Sequence, residues 1–115
     1  MSGTFAFPRA SRLRRSREIR NVFRSGRRHR CGPIELFLGP GIGGVPRAAI
    51  VVPRHGHTAV ERNRVKRRLR EIVRLRWLPS GANGDLVVRA RPSAYDSDFD
   101  ELLSGVNECL QRLSC

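Results

Sequence analysis

The densest concentration of chemistry in the chain is one nine-residue run, Arg62-Asn63-Arg64-Val65-Lys66-Arg67-Arg68-Leu69-Arg70, in which six residues are basic. Guanidinium forks and an ammonium at that density suit phosphate oxygens. At 100° per residue Val65, Leu69, Ile72 and Val73 fall within about a third of a helical circumference, whereas Asn63, Lys66, Arg67, Arg70 and Arg74 cluster on the other side. The spacing predicts a long helix from Glu61 to Trp77, ending before Pro79, with one face to pack and one strongly positive face. Like charges three or four apart disfavour such a helix by a few tenths of a kcal/mol per pair, until phosphates relieve them. Asn63 adds an amide able to donate and accept at once, or to serve as a local backbone partner. Neutralising phosphates releases counterions and makes affinity salt-dependent, but gives no base preference by itself.

The other reactive side chains form no comparable constellation. His55 and His57 alternate in a loop, but no nearby carboxylate pair or cysteine completes a metal site, and His29 is distant in sequence. Cys31, Cys109 and Cys115 are odd in number, widely spaced and without a Cys-x-x-Cys pair, so neither a disulfide framework nor zinc is expected. This fits a reducing cytoplasm.

The whole chain agrees with the basic run. Its 115 residues suffice for one modest core and are read as a single domain, 1–115. The net charge is +13, well beyond the magnitude of about 2–8 that solubility needs. A polyanion is therefore the expected partner. Lys66 is the sole lysine, an arginine preference that phosphate binding or a base-composition bias would produce alike. Ala48–Val52 is the longest plain hydrophobic stretch, far short of the roughly 18 residues that would span a bilayer, and the arginine-rich N-terminus has no secretory apolar core. No membrane and no export are expected. Residues 1–91 hold 22 bases and 5 acids against one base and 5 acids in 92–115, so a polyanion should avoid the C-terminal segment.

The elements that must position these residues follow from punctuation and period. Met1–Arg15 reads as a basic arm that orders only partly without its partner, with residues 1–12 flexible. Ser16 opens a first helix whose Ile19, Val22 and Phe23 share a face, with Gly26 at its C-terminal cap. Ile34–Leu38 and Arg47–Val52 read as strands joined through the glycine-rich Pro40–Pro46 region into a β-hairpin. After the loop holding Arg54, His55, Gly56 and His57 comes the basic helix. Ser80–Gly84 is a loop and Asp85–Ala90 a buried strand that Pro92 stops. A last helix begins near Ser97 or Asp98, with Asp98 and Glu101 in capping-box spacing and an apolar stripe of Phe99, Leu102, Leu103, Val106, Leu110 and Leu113. The expected architecture is α+β, helices covering one face of a small sheet.

Arg62-Asn63-Arg64 matches the hallmark of the bacterial ribonuclease P protein family, and the sequence resembles that family on both sides of it. Ser16-Arg17-Glu18, Val22-Phe23 and Ser25-Gly26 within Leu13–Arg28 resemble its first helix, and Val65-Lys66-Arg67-Arg68-Leu69-Arg70-Glu71 continues the motif. Ala90-Arg91-Pro92, Phe99 and Glu101-Leu102 resemble the last strand and helix, so the likeness runs from about residue 11 to 113. It implies a two-layer sandwich of a four-stranded sheet and three helices, with a left-handed βαβ crossover like a ribosomal protein S5 domain, an exception to the usual hand. A strand missing from the pattern alone is then expected at Arg27–Cys31.

The resemblance also implies function: a ribonuclease P subunit whose active site lies in the RNA, with magnesium held mainly by RNA. Expected partners are that RNA and precursor tRNA, with no stable protein partner required. Arg62, Asn63, Arg64, Lys66, Arg67, Arg68 and Arg70 would face the catalytic RNA. A separate cleft between sheet and first helix would hold the single-stranded 5′ leader, with Phe23 and Phe37 as stacking surfaces or core residues. Ile19 stands there where the family often has an aromatic. Pro53-Arg54-His55-Gly56-His57-Thr58 replaces the usual Ser-Lys-Lys and Gly-Lys turn, with Arg54 able to keep a phosphate contact. The competing readings are a ribosomal or RNA-chaperone protein and a protein-only nuclease, the latter without a convincing catalytic constellation.

Overall fold

The computed structural model describes residues 11–40, 46–80 and 84–114. Three helices, α1 (Ser16–Ser25), α2 (Ala59–Arg76) and α3 (Phe99–Ser114), accompany four strands, β1 (Arg27–Cys31), β2 (Ile34–Gly39), β3 (Arg47–Val51) and β4 (Asp85–Ala90). The mixed sheet has the order β1-β2-β4-β3, with β3 and β4 parallel and the other pairs antiparallel. The α+β expectation holds, including the strand at Arg27–Cys31. Its polar, basic residues occupy a sheet edge where only Cys31 is buried, which is why no apolar pattern marks it.

The expected hairpin between Ile34–Leu38 and Arg47–Val52 does not form. The tight hairpin is β1–β2, turned at Gly32 and Pro33, where Gly32 has φ of +60° as the first residue of a two-residue turn. β4 instead lies between β2 and β3, because Leu86, Val87 and Val88 are fully buried and need cover on both faces. Of the Pro40–Pro46 turn region, residues 41–45 lie outside the described residues, as do 81–83 of the Ser80–Gly84 loop and 1–10 of the arm.

Strand alternation divides the sheet into two faces. Ile34, Leu36, Ala48, Leu86, Val88 and Ala90 meet Val65, Leu69, Ile72 and Val73 of α2 and Leu102, Val106 and Cys109 of α3 in the main core. Phe37, Ala49 and Val87 face the other way, against Val22, Ile19 and Phe23 of α1 and Leu13. The expectation that every helix covers one face therefore fails for α1, whose apolar side chains have the Phe37–Val87 surface as their complement. Arg47 locks this arrangement: its Nε and Nη2 donate to Asp85 at 3.0 and 2.9 Å, and Nη2 also reaches Glu18 of α1 at 3.3 Å. Hydrogen bonding to Asp85 leads the causes that hold the Arg47 guanidinium above its usual range. The described end of the arm is also tied down, since the Leu13 N–H donates to the Ala48 carbonyl at 2.8 Å and Leu13 is buried.

Gly26 ends α1 with extended backbone, and glycine is required there because a Cβ would stand 2.5 Å from the Val22 carbonyl oxygen. Asp98 and Glu101 form the expected reciprocal cap of α3, at 2.9 and 2.8 Å. Among the described residues no helix is long and apolar enough to cross a membrane.

Candidate nucleic-acid interface

Helix α2 starts two residues before the expected Glu61, and its cap explains why. Thr58 accepts from the Glu61 N–H at 3.2 Å while the Glu61 carboxylate accepts from the Thr58 N–H at 2.8 Å. That Thr-x-x-Glu spacing was the available signal. The Thr58 N–H bond is the chief influence holding the Glu61 carboxyl below its usual range. This cap orients the first turn, where the Arg62-Asn63-Arg64 motif sits.

The structure sorts the predicted α2 contacts. Val65, Leu69, Ile72 and Val73 are buried as expected, while Asn63, Arg64, Arg67 and Arg70 are exposed. Asn63, Arg64 and Arg67 surround one shallow pocket with the exposed Val60. Lys66 is half-buried and turns with Arg70 toward a groove that also receives Ile19 of α1. Arg68 points elsewhere: its Nη1 donates to the Ser97 carbonyl at 3.1 Å, fastening α2 to the start of α3. At 240° from Arg62 it lies on the flank facing α3, so one of its guanidinium nitrogens is committed to the fold. Arg62 borders the buried stripe, and its Nε is enclosed without a hydrogen-bond partner among the described residues. Arg74 is engaged by Glu71 at 2.7 Å.

On the other face of the sheet, α1 leaves part of the surface open. Phe23 and Phe37 meet edge to face with centroids 4.7 Å apart. Phe37 is only 4% exposed, so it supports Phe23 and offers no free ring of its own for stacking. Its register opposite Arg28 and Val87 puts it on the α1 side, which alternation alone had left open. Phe23 is half-buried, and the Arg89 guanidinium stands 5.7 Å from its ring centroid. Arg89 was missed from the sequence, although its place between Val88 and Ala90, which face the main core, marks it as pointing the other way. Glu35 lies 3.6 Å from Arg30 and 3.9 Å from Arg89, so this surface keeps partly exposed guanidiniums beside an aromatic ring.

Ile19 lies toward the other end of α1 and lines the groove with Arg12, Leu13, Arg14, Ala48, Ala49, Ile50, Lys66 and Arg70. Four cations and no acid surround an apolar floor there. The groove joins the α1 surface to the α2 face, a connection that no local pattern in the sequence displays.

Arg54 is exposed in the turn between β3 and α2, where its carbonyl accepts from the His57 N–H at 2.8 Å. No hydrogen bond, ion pair or ring contact joins Arg54 to Phe23 or Phe37 among the described residues. The turn is pinned from below: the His57 ring stacks on Tyr95 at 3.7 Å, and the Tyr95 hydroxyl donates to the Pro53 carbonyl at 2.6 Å. His57 Nδ1 also lies 3.2 Å from Glu61 Oε1. Among the described residues no three His, Cys, Asp or Glu side chains come together as metal ligands.

The chain matches the Ribonuclease P family over residues 7–114. The ribonuclease P protein component of Acidothermus cellulolyticus is 40% identical over 113 residues, spanning 93% of this chain and 91% of that protein. The solved RNase P protein from Thermotoga maritima aligns at 27% identity with a TM-score of 0.77, covering 88% of this chain and 96% of the other. The RNase P protein of Staphylococcus aureus shares the fold, with a TM-score of 0.80 at 21% identity over 91% and 96% of the two chains.

Proposed function

This chain belongs to the ribonuclease P protein family, and we propose that it binds the catalytic RNA through α2 and the 5′ leader of precursor tRNA through the surface beside α1. The observation that carries this reading is the groove in which Ile19 of α1 meets Lys66 and Arg70 of α2. It brings cations of a helix suited to phosphates against α1, the helix that one turn further on carries the Phe23 ring, suited to an unpaired base.

In this reading Arg64, Arg67 and Arg70 neutralise phosphates of the RNA subunit, Asn63 hydrogen-bonds to that RNA through its amide, and Arg62 adds its outer guanidinium nitrogens. Phe23 offers a ring face to a leader base and the adjacent Arg89 a guanidinium for its phosphate, with Phe37 as backing and Ile19 as apolar floor. Arg54 lies at the turn leading into α2, where it meets a phosphate near the junction of leader and tRNA. The protein lowers repulsion between two polyanions and orients the strand to be cut. The reaction is hydrolysis of one phosphodiester bond, leaving a 5′-phosphate on the tRNA, with the reacting groups supplied by the RNA.

In this reading magnesium is held by RNA phosphates, where it would activate water and stabilise the leaving oxygen. The cytoplasm, where precursor tRNA is processed, is the proposed location.

The test is 5′ cleavage of precursor tRNA at low magnesium by a bacterial ribonuclease P RNA, with and without the protein. Stimulation with no cleavage by protein alone is expected. Absence of stimulation across several RNA subunits would favour a ribosomal or chaperone role, and cleavage by protein alone a nuclease.

A further inference from the structure

The outward side of α1 carries a second row of cations that neither proposed RNA surface uses. Arg17, Arg20 and Arg24 are all exposed, and at 100° per residue they fall within about 60° of one another, opposite the buried Val22. Arg24 lies seven residues after Arg17, roughly 10 Å along the helix. Arg20 and Arg24 line a shallow pocket together with Phe23. Arg28 of β1 lies opposite Phe37 in the strand register, so it emerges on the same face of the sheet, beside this pocket.

These arginines are not held by carboxylates. The ion pairs among the described residues engage Arg30, Arg47, Arg74, Arg89 and Arg112, and none engages Arg17, Arg20, Arg24 or Arg28. Arg24 donates to the Asn21 amide oxygen at 2.6 Å, a neutral contact that fixes its direction and keeps its charge uncompensated.

We propose that this row is a distal track for single-stranded RNA, continuing the leader outward from Phe23 over Arg24 and Arg20 to Arg17, with Arg28 flanking its start. The inference rests on the leader reading and adds where the strand goes after it leaves the aromatic contact. A single strand fits better than a duplex because the row begins at the half-exposed Phe23 ring, and only an unpaired base presents a face to an aromatic or guanidinium plane. Guanidinium contacts made to phosphates carry no base information, so the track is indifferent to sequence and sensitive to length.

The experiment compares binding of two precursor tRNAs, alike except for a short and a long leader, to holoenzyme reconstituted with a bacterial ribonuclease P RNA. The proteins are wild type and R17A/R20A/R24A, all helix-surface substitutions to a good helix former. For the long leader the variant is expected to bind about tenfold more weakly, with a salt slope smaller by roughly 2 if three single-strand phosphates are lost. The short-leader affinity and the assembly of holoenzyme are expected to stay at wild-type values. Equal losses on both substrates, or a loss in assembly, would assign the row to the RNA subunit or the tRNA body and overturn the track. No loss on either would also overturn it. A wild-type holoenzyme indifferent to the presence of any leader would overturn the leader reading itself, which separates the two failures.

Discussion

Replacing Arg67 and Arg70 together by alanine tests the α2 surface most directly, because the structure separates their binding role from any folding role. Both side chains are exposed, and neither is engaged by a carboxylate among the described residues. They stand three residues apart on one helix, where like charges repel, so the double variant should melt at or slightly above the wild-type temperature. If each neutralises one phosphate of structured RNA, the slope of log affinity against log salt should fall by about 1.8. Across a fourfold salt change, from about 50 to about 200 mM, that is roughly a twelvefold difference in how much affinity is lost. Titrations of labelled ribonuclease P RNA at several salt concentrations, beside circular-dichroism melts, measure both quantities. An unchanged slope in a folded variant would refute the placement of these arginines on phosphates. R68A is the internal contrast: losing its bond to the Ser97 carbonyl should lower stability by about 1 kcal/mol and change the salt slope less.

Four further outcomes follow from particular contacts. R47A leaves the 6% exposed Asp85 side chain without its two-pronged partner and frees Glu18, so urea unfolding should show a loss of about 2–3 kcal/mol. T58A removes the side-chain acceptor at the start of α2 and should lower stability by about 1 kcal/mol in the same assay. Because the folded-state pKa of Glu61 is lowered, its contribution is complete above the ordinary carboxylate range and disappears as pH falls through the depressed value. The destabilisation of E61Q, read from melts across acid pH, should therefore shrink below that range. F37A should destabilise by about 3 kcal/mol as a core truncation, whereas F23A should lose less stability and more affinity for leader-bearing substrate. Equal effects of the two on affinity at matched stability would mean that Phe23 is not the stacking ring.

What was legible in the sequence was whatever one element could express by itself. The α2 stripe, the Asp98–Glu101 cap, the ends of β4 and the Gly26 stop all depend on neighbours within a few residues, and each was found where its pattern put it. Pairing was not legible. Ile34–Leu38 and Arg47–Val52 each have the composition of a strand, but adjacency was decided by Leu86–Val88, which lies more than thirty residues further on and needs burial on both sides. The side of the sheet taken by α1 was hidden for the same reason, since Ile19, Val22 and Phe23 specify a buried face but not its complement. Of the site, the α2 cations were visible as a dense run. Arg89 was not, because it is one base in an apolar strand, and Arg12 and Arg14 read only as part of a basic arm; they acquire their places when the sheet brings them beside Phe23 or Lys66.

A net charge of +13 does not say which bases are available, and the acids supply the answer. Residues 1–91 contain five, Glu18, Glu35, Glu61, Glu71 and Asp85. All five are engaged within the fold. Glu18 and Asp85 hold Arg47, Glu35 lies between Arg30 and Arg89, Glu71 holds Arg74, and Glu61 caps α2. None of the five therefore reaches Arg67 or Arg70 on the outer side of α2, or Arg20 or Arg24 on the outer side of α1. Folding thus sets these charges close together without neutralising them, a state favoured when another polyanion is near. The same scarcity of acids that makes Arg47 a structural residue makes Arg67, Arg70, Arg20 and Arg24 dependent on a partner from outside the chain.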